Sequence, residues 1–478
     1  MAINPVRFGT DGWRAIIAEE FTFENVRACA QATAEHFLER ERAAGRSLPR
    51  HMVVGFDTRF HSEAFAIDVA RVLAGNGFRV QLADRPAPTP ALSYAIVSSG
   101  AAGGIIVTSS HNPATYNGIK VKPDYGGSAS PEIVADIERR VPGILFLGAV
   151  KRAPADSDAI RRFDPIGRYY AGLQKQVDLP RVRAAGLRVA ADPMFGAGAG
   201  LLSEILAGGP TSVTEIHADR NPSFPGLRAP EPIDSNLGAL MALVAGGSFD
   251  CGLANDGDAD RVGFVDEHGA YVDQLRTFAI LVEYLLGVRG LRGGVVKSVT
   301  TSRMASLLAA HYGVPLFETP VGFKHIGPLM IEQDALIGGE ESGGYGFRGH
   351  IPERDGILAD LLLLDFMATT GKRPSEMLAS VFAITGPHFY QRIDFDLEPG
   401  TNAAVKALLD SRAPDEIAGR PVVGVDRVDG WRFLIPEGWL LLRLSGTEPL
   451  LRVYTEVTDA SLVTPVLDAG IALAGRAR

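Results

Sequence analysis

The sequence predicts an α/β protein: three related α/β domains with mixed, mainly parallel sheets and a smaller C-terminal α+β domain surround a central cleft. Three segments within the first 385 residues repeat one order of strands and helices, and the third strand of each runs into a polar loop. From about Gly386 the strands instead follow one another through short turns. Alternating strands and helices favour parallel sheets, whereas strands in direct succession favour antiparallel ones.

Each repeated segment contains three apolar strands, with a helix between the first two. In the first segment, apolar residues from Phe65 to Leu73 recur at helical spacing before Gly75 and Gly77 end the helix. Ligands of such sheets bind beyond the carboxyl ends of strands, so the three polar loops are predicted to share one cleft. The predicted strands are Met52–Asp57, Phe78–Asp84 and Gly103–Ser110; Leu187–Asp192, Ser212–Asp219 and Phe249–Asp256; and Gly294–Val299, Val314–Thr319 and Ala335–Glu340.

The last domain is predicted to be an antiparallel sheet with two helices. Turns are expected at Asp429–Gly430 and Glu437–Gly438, and helices near Asn402–Ser411 and Ser461–Ala474. The predicted boundaries assign residues 1–165, 166–270, 271–385 and 386–478 to domains I to IV.

Composition indicates a cytoplasmic protein that binds neither nucleic acid nor a membrane. The net charge is −9, with acidic and basic residues well mixed along the chain. The two cysteines, Cys29 and Cys251, exclude a disulfide framework and suit a reducing compartment. No secretory signal is visible at the N-terminus. The most apolar stretches, Phe278–Val288 and Ile357–Ala368, are too short to span a bilayer and are predicted to be buried helices.

The first polar loop, residues 108–113, places Ser109, Ser110 and His111 at the end of a buried strand. An activated serine there could act as a nucleophile, but a plain Ser/Asn/Pro turn explains the same residues.

The second polar loop carries Asp256, Asp258 and Asp260 at alternate positions, followed by Arg261. Hard oxygen ligands on a short loop suit Mg²⁺, and three acids this close repel one another without a cation. The arginine suggests a phosphate partner. The alternative is a solvated acidic turn.

Two further loops carry weaker signals. Residues 339–344 combine glycines with Glu340 and Ser342, which suit sugar hydroxyls, although a glycine-rich turn is the better explanation of this loop taken alone. Residues 443–449 combine Arg443 with hydroxyls and a glycine, which could cradle an anion or form a hairpin turn.

Taken together and in order, these loops resemble the α-D-phosphohexomutase superfamily over the whole chain. The motifs that carry the resemblance are FGTDGWR, TSSHNP, DGDADR, GGEESGG and RLSGTEP. The resemblance implies four domains, of which the fourth is smaller and mobile. It also implies a mutase that moves a phosphoryl group between O1 and O6 of a hexose. The implied intermediate is a hexose 1,6-bisphosphate, which for a glucose enzyme is glucose 1,6-bisphosphate.

The resemblance also implies a role for individual residues. Ser110 corresponds to the phosphoserine, although the family usually has alanine where this chain has Ser109. The implied Mg²⁺ ligands are Asp256, Asp258, Asp260 and Ser110. The catalytic group is completed by His111, Lys120 and Arg261, and the implied substrate-binding residues are Arg14, Lys324, Glu340, Ser342, Arg443, Ser445, Gly446 and Thr447.

Lys120 is predicted to be the general acid and base, with a pKa lowered by a cationic, partly dry cleft; the alternative is a role as charge only. Segments 317–330 and 349–356 resemble glucose-type mutases, so glucose phosphate is expected first, mannose phosphate second and glucosamine phosphate third. His325 could contact the sugar as well, but a histidine packed within its loop is the better explanation. A phosphosugar phosphatase and a non-catalytic relative are the rival functions, and a monomer or small homo-oligomer is expected.

Overall fold

The computed structural model describes residues 5–45, 49–398, 400–412, 414–444 and 450–475. These residues form four units, numbered I to IV along the chain, each built around one main sheet. The first three sheets mix parallel and antiparallel pairs, and the fourth is antiparallel. The predicted fold class is therefore confirmed.

Unit I has six strands in the order β1-β5-β4-β2-β3-β6. Strands β4, β2, β3 and β6 run parallel, and β5 returns antiparallel beside β4. The strands are β1 (Trp13–Ile16), β2 (His51–Phe56), β3 (Arg79–Ala83), β4 (Gly103–Val107), β5 (Tyr116–Pro123) and β6 (Ile160–Phe163), and the helices are α1 (Phe23–Ala43), α2 (Ser62–Gly75), α3 (Thr89–Ser99) and α4 (Pro131–Leu147).

Unit II repeats this plan in the order β11-β10-β9-β7-β8, with β10 antiparallel beside β9. Its strands are β7 (Arg188–Asp192), β8 (Ser212–Glu215), β9 (Cys251–Asn255), β10 (Val262–Val265) and β11 (Tyr271–Val272). Its helices are α5 (Ile166–Gln176), α6 (Leu179–Ala184), α7 (Leu201–Leu206) and α8 (Gly238–Gly246).

Unit III follows the same plan in the order β13-β12-β14-β15, with β15 antiparallel beside β14. Its strands are β12 (Val295–Ser298), β13 (Leu316–Thr319), β14 (Ile337–Gly339) and β15 (Tyr345–Phe347). Its helices are α9 (Gln274–Glu283), which continues as a π-helical turn (Tyr284–Val288), α10 (Arg303–His311), α11 (Phe323–Glu332), α12 (Gly356–Thr370) and α13 (Pro374–Thr385).

Several predicted strands end later than the observed ones. The strand predicted to reach Ser110 ends at Val107, and the one predicted to reach Asp219 ends at Glu215. Their last residues leave the ladder because polar side chains there bond to the chain's own backbone and to other loops, as when Thr108 Oγ1 accepts from Ser110 N at 2.9 Å.

Unit IV is a five-stranded antiparallel sheet in the order β16-β22-β21-β20-β19. Its strands are β16 (Phe389–Asp396), β17 (Glu416–Ile417), β18 (Arg420–Pro421), β19 (Gly424–Asp426), β20 (Trp431–Ile435), β21 (Gly438–Leu444) and β22 (Leu450–Val457), and its helices are α14 (Asn402–Asp410) and α15 (Val463–Leu473). Strands β17 and β18 form a separate two-stranded sheet.

One continuous apolar core contains buried residues of units I, II and III, whereas unit IV has a core of its own. Helix α12 is buried along most of its length and therefore lies inside the shared core. Within the part of the chain that the structure describes, every helix is too short or too polar to cross a lipid bilayer.

Candidate active site

The three polar loops occupy the same position in units I, II and III. Each joins the third strand of the repeated plan to its antiparallel neighbour: β4 to β5, β9 to β10, and β14 to β15. The glycines of these loops allow close approach. A Cβ on Gly257 would lie 2.5 Å from the carbonyl oxygen of Ser110, so the first two loops pack backbone to backbone.

Ser110 directs its hydroxyl at the aspartate loop. Its Oγ donates to Asp256 Oδ2 at 2.6 Å and lies 3.3 Å from His111 Nδ1. Its φ of 50° is in the left-handed region, which costs a residue with a Cβ about 1–2 kcal/mol and is typical of functional loops. Ser109 is fully buried, and its Oγ has no hydrogen-bond partner among the described residues. Of the two adjacent serines, Ser110 is therefore the one whose hydroxyl contacts the aspartate loop.

Asp256, Asp258 and Asp260 form a buried cluster in which one ligand oxygen of each lies within 4.8 Å of the others. Among the described residues, Asp258 Oδ1 and Asp260 Oδ1 are buried without a hydrogen-bond partner. Burial, reinforced by the charges of Asp260 and Asp258, raises the pKa of Asp256 well above its usual range. Unsatisfied buried carboxylate oxygens and mutual repulsion are both relieved by a hard divalent cation, so these residues fit Mg²⁺.

Lys120 lies among carboxylates. Its Nζ is 2.8 Å from Asp258 Oδ2, 2.8 Å from Asp260 Oδ2 and 2.9 Å from Asp11 Oδ2. Burial by itself would lower the pKa of this ammonium, but the charges of Asp11, Asp258 and Asp260 outweigh burial and raise it. The predicted lowering of the pKa is therefore wrong, because the lysine's nearest neighbours are acids rather than cations.

Arg14 and His111 form a second group of charged and polar contacts near Ser110. Arg14 NH1 donates to Asn112 Oδ1 at 2.6 Å and lies 3.5 Å from His111 Nδ1. Burial, together with the charges of Arg261 and Arg14, holds the pKa of His111 well below its usual range. The imidazole is therefore neutral near pH 7 and can accept a proton or a hydrogen bond.

The other predicted site residues of units II and III lie around the same centre. Arg261 NH1 donates to Glu231 Oε1 at 3.0 Å. Glu340 Oε2 lies 3.4 Å from NH1 of Arg354, whose NH2 is 2.9 Å from Asp260 Oδ2. Ser342 is half-buried in the loop between β14 and β15. The structure thus connects Glu340 to the aspartate loop through Arg354.

Arg443 of unit IV is linked to the segment that precedes Lys324 in unit III. Lys324 lines a cavity of about 200 Å³ that also includes Asp11. Arg443 Nε donates to Asp429 Oδ2 at 2.9 Å, and the same oxygen accepts from Val321 N at 2.9 Å. The end of β21 is thereby attached to the loop that precedes Lys324. Ser445, Gly446 and Thr447 lie outside the described residues.

Comparison with known proteins gives matches along the whole chain. The family models for phosphoglucomutase/phosphomannomutase match as domain I at residues 5–147, domain II at 167–269, domain III at 273–384 and the C-terminal domain at 401–470. The chain belongs to the phosphoglucomutase/phosphomannomutase family. Membership of this family makes the protein a phosphotransferase of the mutase type, a phosphohexomutase.

Relatives of this mutase carry different substrate names. A phosphoglucomutase/phosphomannomutase of Thermococcus kodakarensis is 32% identical, over 98% of each chain. A phosphoglucosamine mutase of Frankia alni is 33% identical, over 95% of this chain and 94% of its own. The crystal structure of a protein from Thermus thermophilus is 37% identical with a TM-score of 0.85, covering 98% of this chain and 99% of that chain.

Sequence reasoning missed a set of buried charged and polar residues of the mutase that hold the predicted ones in place. Arg354 NH2 contacts the carboxylate of Asp11 as well as Asp260, and the Lys122–Glu353 pair lies fully buried beside them. Asp11 lies in the FGTDGWR motif, and Glu353 and Arg354 lie in segment 349–356. The sequence motifs therefore include these three positions but indicate no role for them. The missed residues are Asp11, Arg59, Thr89, Lys122, Glu353 and Arg354.

Proposed function

We propose that the enzyme interconverts hexose 1-phosphate and hexose 6-phosphate, with glucose as the favoured sugar and mannose second, through a phosphoserine at Ser110. The observation that carries this proposal is the 2.6 Å hydrogen bond from Ser110 Oγ to Asp256 Oδ2. It joins a hydroxyl of unit I to a buried acidic cluster of unit II. A nucleophilic oxygen beside a hard-cation site suits phosphoryl transfer, which depends on positioning and charge stabilisation.

The proposed cycle has two transfers. Phospho-Ser110 gives its phosphoryl group to the free hydroxyl of the bound hexose phosphate, so that the Oγ–P bond breaks as a new O–P bond forms to the sugar. The resulting hexose 1,6-bisphosphate, glucose 1,6-bisphosphate in the favoured case, turns over in the cleft. Its other phosphoryl group then returns to Ser110 Oγ, which leaves the isomeric monophosphate. An added hexose 1,6-bisphosphate would therefore activate an enzyme that lacks phosphate on Ser110.

Asp256, Asp258, Asp260 and the Ser110 side chain would hold Mg²⁺. When bound, this ion would stabilise negative charge on the transferring phosphoryl group. Asp256 is already oriented for this role, because its Oδ1 accepts from the backbone N–H groups of Asp260 at 3.0 Å and Arg261 at 3.2 Å.

Lys120 is proposed as the general acid and base, and His111 as a residue that helps to orient the phosphoryl group. In the first transfer the attacking sugar hydroxyl must lose a proton and the departing Ser110 Oγ must gain one. In the second transfer Ser110 Oγ loses a proton and the departing sugar oxygen gains one. Lys120 Nζ donates to Asp258 and Asp260, which lie on the same loop as Asp256, the partner of Ser110. Because its pKa is raised, Lys120 starts as the ammonium and would act first as the acid that protonates the departing oxygen. A role of Lys120 as charge alone is the alternative. His111 and Arg261 would orient the phosphoryl group on Ser110.

The sugar and its second phosphate would be held from units III and IV. Glu340 and Ser342 suit sugar hydroxyls, and Arg14 suits the reacting phosphate. The distal phosphate would be held by Lys324, Arg443, Ser445, Gly446 and Thr447. The link from Arg443 through Asp429 to Val321 N supports a shared role for Lys324 and Arg443.

Phosphoglucosamine mutase is the second candidate function, because relatives with that name are as similar as the phosphoglucomutase/phosphomannomutase relative. Location and assembly belong to the same proposal: a cytoplasmic monomer or small homo-oligomer with domain boundaries at residues 165/166, 270/271 and 385/386. The two cysteines are free and buried, which suits a reducing compartment.

A coupled assay tests the reaction and the sugar together. Glucose, mannose and glucosamine 1-phosphates are each supplied with and without the matching 1,6-bisphosphate. We expect the highest kcat/KM with glucose 1-phosphate, and a higher value with the glucosamine compound would favour the second candidate. Release of inorganic phosphate without hexose 6-phosphate would instead indicate a phosphatase.

Ser110→Ala tests the nucleophile, and Ser109→Ala is its matched control. The two serines are adjacent and buried, but Ser110 is the one that contacts Asp256. We expect Ser110→Ala to abolish mutase activity and Ser109→Ala to keep it. Full activity in Ser110→Ala would overturn the proposal.

A further inference from the structure

The loop that carries Ser110 is held from beneath by one buried arginine. Arg59 follows β2, and its side chain is fully buried. Its NH2 donates to the carbonyl oxygens of Ser110 and Asn112, both at 2.6 Å. Its NH1 donates to the carbonyl oxygens of Pro113 at 2.9 Å and Tyr116 at 3.1 Å. Arg59 therefore satisfies a group of backbone oxygens from within one short stretch of chain.

This contact bears directly on the strained residue. Ser110 has its backbone in the left-handed region, a conformation that persists where the surroundings impose it. The carbonyl oxygen of Ser110 lies between the guanidinium of Arg59 and the backbone of Gly257, where an added Cβ would be 2.5 Å away. Loss of the guanidinium would remove the hydrogen bond that the Ser110 carbonyl oxygen accepts from Arg59.

Arg59 is itself fixed on two sides. Asp57 Oδ2 lies 3.3 Å from its Nε, and Asp57 Oδ1 accepts from Arg59 N at 2.9 Å and from Ser62 Oγ at 2.7 Å. The Arg59 guanidinium carbon is 5.0 Å from the ring centroid of Phe224, a buried residue of unit II. The arginine thus fixes the serine loop relative to both units that form the reaction centre.

Because the reactive oxygen must be placed against the aspartate cluster, we propose that Arg59 is a positioning residue for phosphoryl transfer: it holds Ser110 in its left-handed conformation through the loop's carbonyl oxygens. This inference rests on the proposed role of Ser110. Arg59 acts through the backbone rather than by contact with substrate. A planar guanidinium with donors in a fixed fork is required, and the single ammonium of a lysine cannot reproduce it.

The test is Arg59→Lys, which keeps the charge and removes the fork. A displacement of about 1 Å at a reacting group costs about 100-fold in rate, so we expect kcat to fall by about 100-fold. KM should stay within about threefold, because the Arg59 side chain is fully buried and binds backbone oxygens of the loop. The initial rate at which glucose 1,6-bisphosphate phosphorylates Ser110, measured by mass spectrometry, should fall in parallel with kcat.

Arg183→Lys is the matched control. Arg183 also binds backbone, donating from Nε at 3.0 Å and NH2 at 2.6 Å to the carbonyl oxygen of Ile205, but it lies in unit II away from the reaction centre. We expect its kcat to equal that of the parent, even if its melting temperature falls. A purely structural Arg59 would behave in the same way, so a parental kcat in folded Arg59→Lys would overturn the proposal.

Asp57→Asn replaces Arg59→Lys if the latter does not fold. It removes the charge that orients the guanidinium and keeps the four carbonyl acceptors, and the proposal expects kcat to fall by about tenfold with KM unchanged. An unchanged kcat in this variant would overturn the proposal. Failure of the parent enzyme in the mutase assay would instead refute the proposed function, so the two failures are distinguishable.

Discussion

Units I to III and unit IV are attached to one another in different ways. The first three share one apolar core, and their charged contacts at the active site are buried: Lys122 and Glu353 are both fully buried. Unit IV has its own core and meets unit III through a small cluster around Trp439. The ion pairs at that contact are partly exposed, with Glu318 at 30%.

The difference separates two tasks within the site. The serine loop, the aspartate cluster and Glu340 are fixed relative to one another by burial, as phosphoryl transfer requires. Arg443 belongs to unit IV, which meets unit III through a small apolar cluster and partly exposed ion pairs, each of which contributes little to stability. The comparison therefore predicts large effects from changes at the buried centre and smaller ones at the unit III–IV contact.

The largest expected effect comes from the metal cluster. Removing Mg²⁺ with a chelator, or making Asp256→Asn, should lower kcat by about 1000-fold, as expected for loss of a group that stabilises transition-state charge. Adding Mg²⁺ back should restore the kcat of the chelated parent enzyme but should not raise the kcat of Asp256→Asn. Undiminished activity in the chelated enzyme would contradict the assignment of the cluster.

The buried Lys122–Glu353 pair is expected to matter next for stability. Glu353→Gln leaves the Lys122 ammonium without its closest partner, which should lower the free energy of unfolding by about 3 kcal/mol. The double variant Lys122→Met, Glu353→Gln should recover part of this loss, because no unpaired charge remains. Urea denaturation measures the free energy of unfolding of both variants. A double variant that is less stable than Glu353→Gln would argue against a charge effect.

The Glu318 contact predicts a pH dependence at unit IV. Burial alone would raise the pKa of Glu318, but hydrogen bonds from Arg432 and the charge of Lys297 outweigh it and lower the pKa to about 2. A lowered folded-state pKa contributes stability above pH 4.5, the ordinary value, and that stability is lost as the pH falls towards 2.

Glu318→Gln should therefore cost about 2 kcal/mol near pH 7, after a discount for partial exposure, and almost nothing near pH 2. Thermal unfolding of both proteins between these pH values measures the effect. If the unfolding temperatures of the variant and the parent change with pH in parallel, the Glu318 carboxylate does not stabilise this contact.

The smallest expected effect is at Tyr390. Its hydroxyl donates to Glu341 Oε1 at 2.7 Å, while Arg392 keeps a second contact to the same oxygen at 3.0 Å. Tyr390→Phe should cost about 1 kcal/mol and leave kcat unchanged. Limited proteolysis of the unit III–IV connection provides the measurement, and a large loss of kcat would mean that this contact belongs to the reaction centre.

Local sequence patterns were sufficient for the fold and for the position of the loops. Each loop follows an apolar strand, and that pattern is contained within a few residues. The contact between Ser110 and Asp256 spans 146 positions. The strand pattern predicts that their two loops share a cleft, but only the resemblance pairs these two side chains. Arg59 was missed because its partners are backbone carbonyls, which have no sequence signature. The pKa of Lys120 was mispredicted because its acidic neighbours come from other parts of the chain.

The central claim is that the phosphate on Ser110 and the cation held by the three aspartates share one site. Phosphorus NMR of the phosphoenzyme, with stoichiometric Mn²⁺ in place of Mg²⁺, tests it most directly. The account predicts one phosphoserine resonance, assigned to Ser110, that Mn²⁺ broadens in the parent and leaves sharp in Asp256→Asn. A resonance that stays sharp in the parent, or phosphate on a residue other than Ser110, would contradict the account.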